Sequence, residues 1–272
     1  MTPPYGLLAL DVDGTLIVDD HPVTPRVRRA ISAAQDAGVK VTIATGRMFQ
    51  SARRFAHDLG VTVPIICYHG ALVRHPLTEE TLVSITMAVD PALDVVHFAD
   101  EAGLHVNAYV DDQLYMRRMT PEGAYYAKIA RVEANVVEDF ESVIGRGSTK
   151  LVIVTDEPRV LGVVDQLRKR VGDVLYVTRS HPRFAEATSP TVSKGYALRQ
   201  LATHLGVPIE QTMAVGDNLN DLDLVTEAGL GVAMGDGDPR VRAAADFVTG
   251  TYFEDGVATA IERFILNAPP KP

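Results

Sequence analysis

Short apolar runs that stop abruptly at polar residues, each followed by a helical pattern, constrain this chain more than any other feature. Residues 7–10 run into Asp11-Val-Asp13-Gly14-Thr15, residues 41–44 into Thr45-Gly46-Arg47, and residues 213–215 into Gly216-Asp217-Asn218-Leu219-Asn220-Asp221. Between the first two runs a helix is expected from Thr24 as N-cap, with Pro25 at its first position, through Val27, Ile31 and Ala34 to a stop at Gly38. A second helix over residues 49–59 stops at Gly60. Strand, helix, strand, helix at this spacing predicts a parallel sheet covered by helices. The grammar returns after residue 190: Ser193 caps a helix carrying Leu198, Leu201 and Leu205 up to Gly206, a strand covers 213–216, and Leu219, Leu222 and Val225 mark a further helix stopped by Gly229. The fold class expected is α/β, a doubly wound parallel-sheet core built from residues 1–81 and 188–272.

Residues 82–187 change pattern. Two strand-like stretches, 104–110 and 113–117, flank Asp111 and Asp112, a turn short enough for a hairpin. A strand at 148–155, a helix near 160–171 and a strand at 174–178 follow, which predicts an inserted α/β domain with a partly antiparallel sheet. A chain of 272 residues agrees, since single cores stop growing near 250. With 46% hydrophobic and 22% charged residues there is ample material for both cores. A formal charge of -9 and no basic stripe exclude nucleic acid as partner. No run of eighteen apolar residues exists and the start carries no basic region, so no membrane partner and a cytoplasmic location are expected. Cys67, alone in an apolar run, is expected to be a buried hydrophobe without a role. The proline-rich tail, residues 267–272, is expected to fray.

Ligands of open parallel sheets bind beyond the carboxyl ends of the strands, where the three polar clusters lie. Asp11 and Asp13, two apart in extended chain, would present both carboxylates to one face, with Gly14 allowing a tight turn. Carboxylates that close repel unless a cation lies between them, and Mg2+ takes such hard oxygen ligands, with Asp217 able to add another. Blander readings exist for each piece. Asp-x-Asp-Gly also makes surface turns. Asp217, Asn218 and Asp221 also suit a helix start, and Thr45 a helix cap. The Thr45 hydroxyl and neighbouring backbone N–H groups could instead bind phosphate. Lys194 opposes the dipole at its helix start unless an anion is bound. Arg47 suits a helix surface or a salt bridge as well as a ligand.

In this order the motifs Asp11-Val-Asp-Gly-Thr-Leu16, Thr45-Gly-Arg47, Ser193-Lys-Gly195 and Gly216-Asp-Asn-Leu-Asn-Asp221, with the insert, resemble the haloacid dehalogenase superfamily, and within it the Cof-type phosphatases with a large α/β cap. The resemblance implies a Rossmann-like core and a Mg2+-dependent phosphatase acting on a small phosphorylated metabolite through an aspartyl phosphate. Asp11 would be the nucleophile, and Asp13 the acid of the first step and base of the second. The metal would be held by the Asp11 and Asp217 carboxylates and the Asp13 carbonyl, with Asp221 nearby as an outer or alternative ligand. Thr45, Gly46 and Lys194 would hold phosphoryl oxygens, and Asn220 would assist at substrate or phosphate.

Dehalogenases, by the same resemblance, lack the second aspartate, so Asp13 points to phosphate esters. His69 and Asp236 stand where these phosphatases often have asparagine, which bears on the finer substrate contacts. The insert is expected to set specificity, with Tyr109, Arg117, His181 and Arg183 as candidates and sugar phosphates as first substrate class; nucleotide and cofactor phosphates stay open. Two rivals share the motifs: a sugar-phosphate transferase or mutase, and a non-catalytic Mg2+-binding regulator phosphorylated on aspartate. Oligomeric state is not readable.

Overall fold

In the computed structural model, which describes residues 3–19 and 21–267, the alternation becomes β1 (Leu7–Leu10), β2 (Lys40–Ile43), β3 (Ile65–Cys67), β4 (Leu72–Arg74) and β5 (Thr81–Ser84). The insert contributes β6 (His105–Val110), β7 (Gln113–Met116), β8 (Ala134–Val136), β9 (Lys150–Val154), β10 (Tyr176–His181) and β11 (Phe184–Thr188). The chain then returns with β12 (Thr212–Gly216), β13 (Leu230–Ala233) and β14 (Phe247–Val248). Two compact units result, Met1–Ser84 with Ser193–Pro272, and Ile85–Val192.

The first unit is built on a five-stranded sheet ordered β14-β13-β12-β1-β2, parallel throughout. All four residues of β1 are buried, as expected of a strand covered on both faces. From β1 the sheet grows toward β2 on one side and through β12, β13 and β14 on the other. The winding therefore reverses between β1 and β12, which is where such sheets open a crevice. Register does the rest: Leu10 lies opposite Val215 on one side and Ile43 on the other, so Asp11, Gly216 and Ala44 follow at one level.

Local chemistry explains the elements. Thr24 Oγ1 accepts from the Val27 N–H at 3.3 Å and Pro25 opens helix Pro25–Asp36, which buries Val27, Ala30, Ile31 and Ala34. Ser193 Oγ accepts from the Tyr196 N–H at 3.1 Å and starts helix Lys194–His204. Leu219 departs from its expected place: residues 219–221 form a tighter 3-10 turn, which shifts the register, so Leu219 is exposed while Leu224 and Val225 are buried. The antiparallel sheet β3-β4-β5 had no sequence signal, its strands being only three or four residues long.

The second unit has a six-stranded sheet ordered β10-β11-β9-β6-β7-β8, antiparallel except for the pair β7 and β8. Its first hairpin closes Val110 against Gln113 over Asp111 and Asp112, both left-handed at φ 50° and 57°, the turn that matches strand twist. Val106, Ala108, Leu151, Ile153, Ala185 and Ala187 pack with Val95, Val160 and Leu167 from the helices. The junctions fall later than 82 and 187. Residues 82–84 are in β5, paired with β4, and Thr188 is still in β11. Cys67 is fully buried. Residues 268–272 of the proline-rich tail lie outside the described residues.

Candidate active site

Asp11 is the first residue beyond β1 and is 3% exposed; its N–H is held by the Val215 carbonyl at 2.9 Å. The ammonium of Lys194, fully buried, donates to Asp11 Oδ1 at 2.6 Å and to Asp221 Oδ1 at 2.5 Å. The anion that excuses a lysine at a helix start is thus a pair of carboxylates from the protein itself. Burial by itself disfavours the ammonium, but Asp11 and Asp221 outweigh it and hold the Lys194 pKa above its ordinary value. Asp221 is engaged through both of its oxygens. Its Oδ2 accepts from the backbone N–H groups of Asp217 and Asn218 at 3.1 Å each, closing a capping box, while Oδ1 faces Lys194.

Asp217 approaches from β12. Thr15 Oγ1 donates to its Oδ1 at 2.9 Å, and Gly14, at φ +93°, leaves the space it occupies: a Cβ there would lie 2.2 Å from Asp217 Oδ2. Carboxylate oxygens of Asp11, Asp217 and Asp221 all come within 4.8 Å of one another. Three carboxylates against one ammonium leave surplus negative charge. Burial raises the Asp217 pKa to about 6, reinforced by Asp221 and opposed by Thr15 and Lys194. Asp11 is pushed well above the carboxylate range by burial and by Asp221, against the pull of Lys194. A hard, oxygen-only donor set with uncompensated charge fits a small divalent cation such as Mg2+. The Asp13 side chain lies outside this triad, its implied ligand atom being the main-chain carbonyl.

Because β1 ends at Leu10, strand alternation does not govern residues 11–13, and the two carboxylates take different partners. Asp13, half-exposed, is gripped in a bidentate pair by Arg47, Nη2 to Oδ1 at 2.6 Å and Nε to Oδ2 at 2.8 Å. Thr45 is fully buried and its Oγ1 accepts from the Arg47 N–H at 3.2 Å; the next helix, Phe49–Asp58, is capped at Met48, so Thr45 is not a helix cap. Its loop is stapled to residues 68–70: Tyr68 N–H donates to Arg47 O and His69 N–H to Thr45 O, each at 3.0 Å. The exposed Asn220 reaches this turn, with Nδ2 3.2 Å from His69 Nδ1. Asp236 is exposed. Thr15 joins the site through Asp217, and the one sequence signal for it is its place two residues after Asp13.

In the second unit, Tyr109 is buried with its hydroxyl 2.8 Å from that of Tyr126. Arg117 pairs with Asp100 at 3.0 Å and Glu141 at 3.4 Å. His181 stacks on Phe184, and Arg183 lies over Tyr125 and pairs with Asp156.

A buried lysine and three converging carboxylates thus meet at the switch point of a doubly wound sheet. The profile of the haloacid dehalogenase-like hydrolases matches residues 8–261, and the chain belongs to that family; it is a phosphoric monoester hydrolase. Among Bacillus subtilis relatives, YxeH is 33% identical over 278 residues, covering 96% of this chain and 99% of its own. YitU, a 5-amino-6-(5-phospho-D-ribitylamino)uracil phosphatase, is 30% identical over 273 residues, covering 97% and 98%. The crystal structure of TM0651 from Thermotoga maritima is similar with a TM-score of 0.85 at 32% identity, covering 95% of this chain and 97% of that one.

Proposed function

We propose that this enzyme hydrolyses small sugar or polyol phosphates in two displacements through phospho-Asp11, with Mg2+ bound at Asp11, Asp217 and the Asp13 carbonyl, and Asp221 adjoining. The observation that carries it is the buried Asp11 carboxylate, one oxygen fixed by Lys194 at 2.6 Å, at the reversal between β1 and β12. The bound cation would supply charge neutralisation at the phosphoryl oxygens. Lys194 and Thr45 hold those oxygens in line with Asp11, and positioning of this kind is most of what phosphoryl transfer needs. A carboxylate nucleophile splits a difficult displacement into two easier ones. Asp13 protonates the leaving alkoxide and later takes the proton of the attacking water. For either task its carboxylate must part from Arg47, because both oxygens are engaged in the bidentate pair. A polyol ester as substrate is in keeping with YitU, whose substrate carries its phosphate on a ribityl chain.

The test is a hydrolysis panel of sugar, polyol, nucleotide and cofactor phosphates with and without Mg2+, together with acid quenching during turnover and peptide mapping for phosphate on Asp11. Turnover abolished by EDTA, restored by Mg2+ and accompanied by phospho-Asp11 is expected. Full activity in metal-free protein, or undiminished turnover by Asp11→Asn, removes the mechanism.

A further inference from the structure

The insert holds a cavity of about 540 Å3, a size that takes metabolites, and every residue lining it belongs to the insert. His105 and Val154, paired at the start of β6 and the end of β9, both line it. Its charges are not all matched. Of the three arginines in its wall, Arg117 is paired with Asp100 at 3.0 Å and with Glu141. Arg118 and Arg159 are exposed and have no carboxylate partner among the described residues. Arg118 nevertheless stands close to the cavity, because His105 is held below its ordinary pKa first by burial and also by that guanidinium, against Asn107 and Glu122. Of the four carboxylates, Asp100 is taken by Arg117 and Asp156 by Arg183 at 3.5 Å. Glu122 is held below the ordinary carboxylate range by its own backbone N–H and by Thr120. Glu138 has no partner among the described residues.

Thr155, in the same wall, points to a ligand independently. It is 3% exposed, its N–H donates to Arg183 O at 3.0 Å and its carbonyl accepts from Arg183 Nε at 3.0 Å, yet its hydroxyl has no hydrogen-bond partner in the protein. A buried hydroxyl without a partner is costly, and one in a cavity wall recovers that cost from whatever fills the cavity. Charge and shape narrow the occupant. Two unmatched arginines against one unmatched glutamate call for a single negative charge. A phosphate dianion exceeds that and would face four carboxylates, whereas a carboxylate brings one charge in the plane that an arginine fork matches. A hydroxyl beside it can both donate to Glu138 and bond Thr155. We infer that the insert carries a binding site for a small hydroxycarboxylic acid, its carboxylate held by Arg118 and Arg159 and its hydroxyls by Thr155 and Glu138. The site is additional to the phosphatase centre and does not depend on that reading.

The experiment titrates the full-length protein with D-gluconate and with L-lactate in EDTA, following the amide NMR signals of His105, Thr155 and Arg159. D-glucitol, which lacks the carboxylate, and orthophosphate serve as comparisons. Saturable shifts at the three amides are expected with at least one of the acids, and glucitol and orthophosphate should bind there at least tenfold more weakly. Arg118→Gln and Arg159→Gln should each weaken the acid about tenfold at an unchanged melting temperature. Thr155→Val keeps the shape and removes the hydroxyl, so it should leave the ligand-free protein at least as stable as the parent and weaken the acid several-fold. Absent or non-saturating shifts with both acids overturn the inference, as does glucitol or orthophosphate binding as tightly as the acid. Affinity within twofold of the parent in both arginine variants does the same. A lower melting temperature for ligand-free Thr155→Val also overturns it, by showing that ordered water already satisfies the hydroxyl.

Discussion

Asp217 is the residue at which surplus charge in the crevice can be measured. Its folded pKa is raised to about 6 against an ordinary value of 3.8, burial being the largest cause and Asp221 the next. The unfolded chain ionises first as pH rises, so this group leaves metal-free protein unpenalised below about pH 4 and destabilises it fully above about pH 6. Asp217→Asn should therefore raise the melting temperature in EDTA by about 5 °C at pH 7, a gain that vanishes near pH 4. Thermal unfolding of both proteins across that range checks it, and a gain independent of pH would show that charge is not the cause. In Mg2+ the order should reverse, the parent being the more stable. Lys194 presents the complementary case. Lys194→Met leaves Asp11 and Asp221 buried without their cation and should cost about 3–5 kcal/mol in denaturant titrations. A loss under 1 kcal/mol would mean that the ammonium contributes little. Neither partnership was legible in the sequence. The motifs named Asp11, Lys194 and Asp221, but pairs separated by 183 and 27 positions arise only when β1, β12 and the Lys194 helix are assembled.

At the scale of elements, legibility followed the strength of local chemistry. Thr24 with Pro25, Ser193, and the left-handed pair Asp111 and Asp112 each carry a backbone requirement that their residue types announce, and each stands where it was expected. The strands β3, β4 and β5 carry none, and β3 is tied to the loop after β2 through the Thr45 N–H bond to Ile66 O at 2.9 Å. For Thr45 the helix-cap alternative fails on local geometry: its hydroxyl accepts from the Arg47 N–H, while the helix Phe49–Asp58 is capped at Met48. Gly14 suits a tight turn by its type, and the structure adds a steric demand. Gly14→Ala must accept a left-handed φ and also displace the Asp217 carboxylate. It should destabilise the protein by more than 1 kcal/mol and, because Asp217 moves, weaken Mg2+ at least tenfold. Mg2+ titration calorimetry alongside denaturant unfolding reads both, and parent-like Mg2+ affinity would mean that the loop yields without disturbing Asp217.

Over the whole molecule the two units differ in what they contribute. Every group assigned to the metal or phosphate, namely Asp11, Asp13, Thr45, Gly46, Lys194, Asp217, Asn220 and Asp221, belongs to the unit formed by the two ends of the chain. The insert has its own core, in which Leu167 is fully buried, whereas Leu198 is fully buried in the core of the first unit, on the helix that begins with Lys194. Truncating either leucine to alanine removes the same atoms and should cost about 2–5 kcal/mol. Their effects on binding should part. Leu198→Ala loosens the helix that positions the ammonium and should weaken orthophosphate several-fold, while Leu167→Ala should leave orthophosphate affinity within twofold of the parent. Two cores also make a single cooperative transition unwarranted, so calorimetric unfolding should broaden or split in Leu167→Ala as the insert melts first. Equal losses of orthophosphate affinity in the two variants, measured at a temperature where both are folded, would show that the insert supports the phosphate site directly, contrary to the division of labour drawn from the residues.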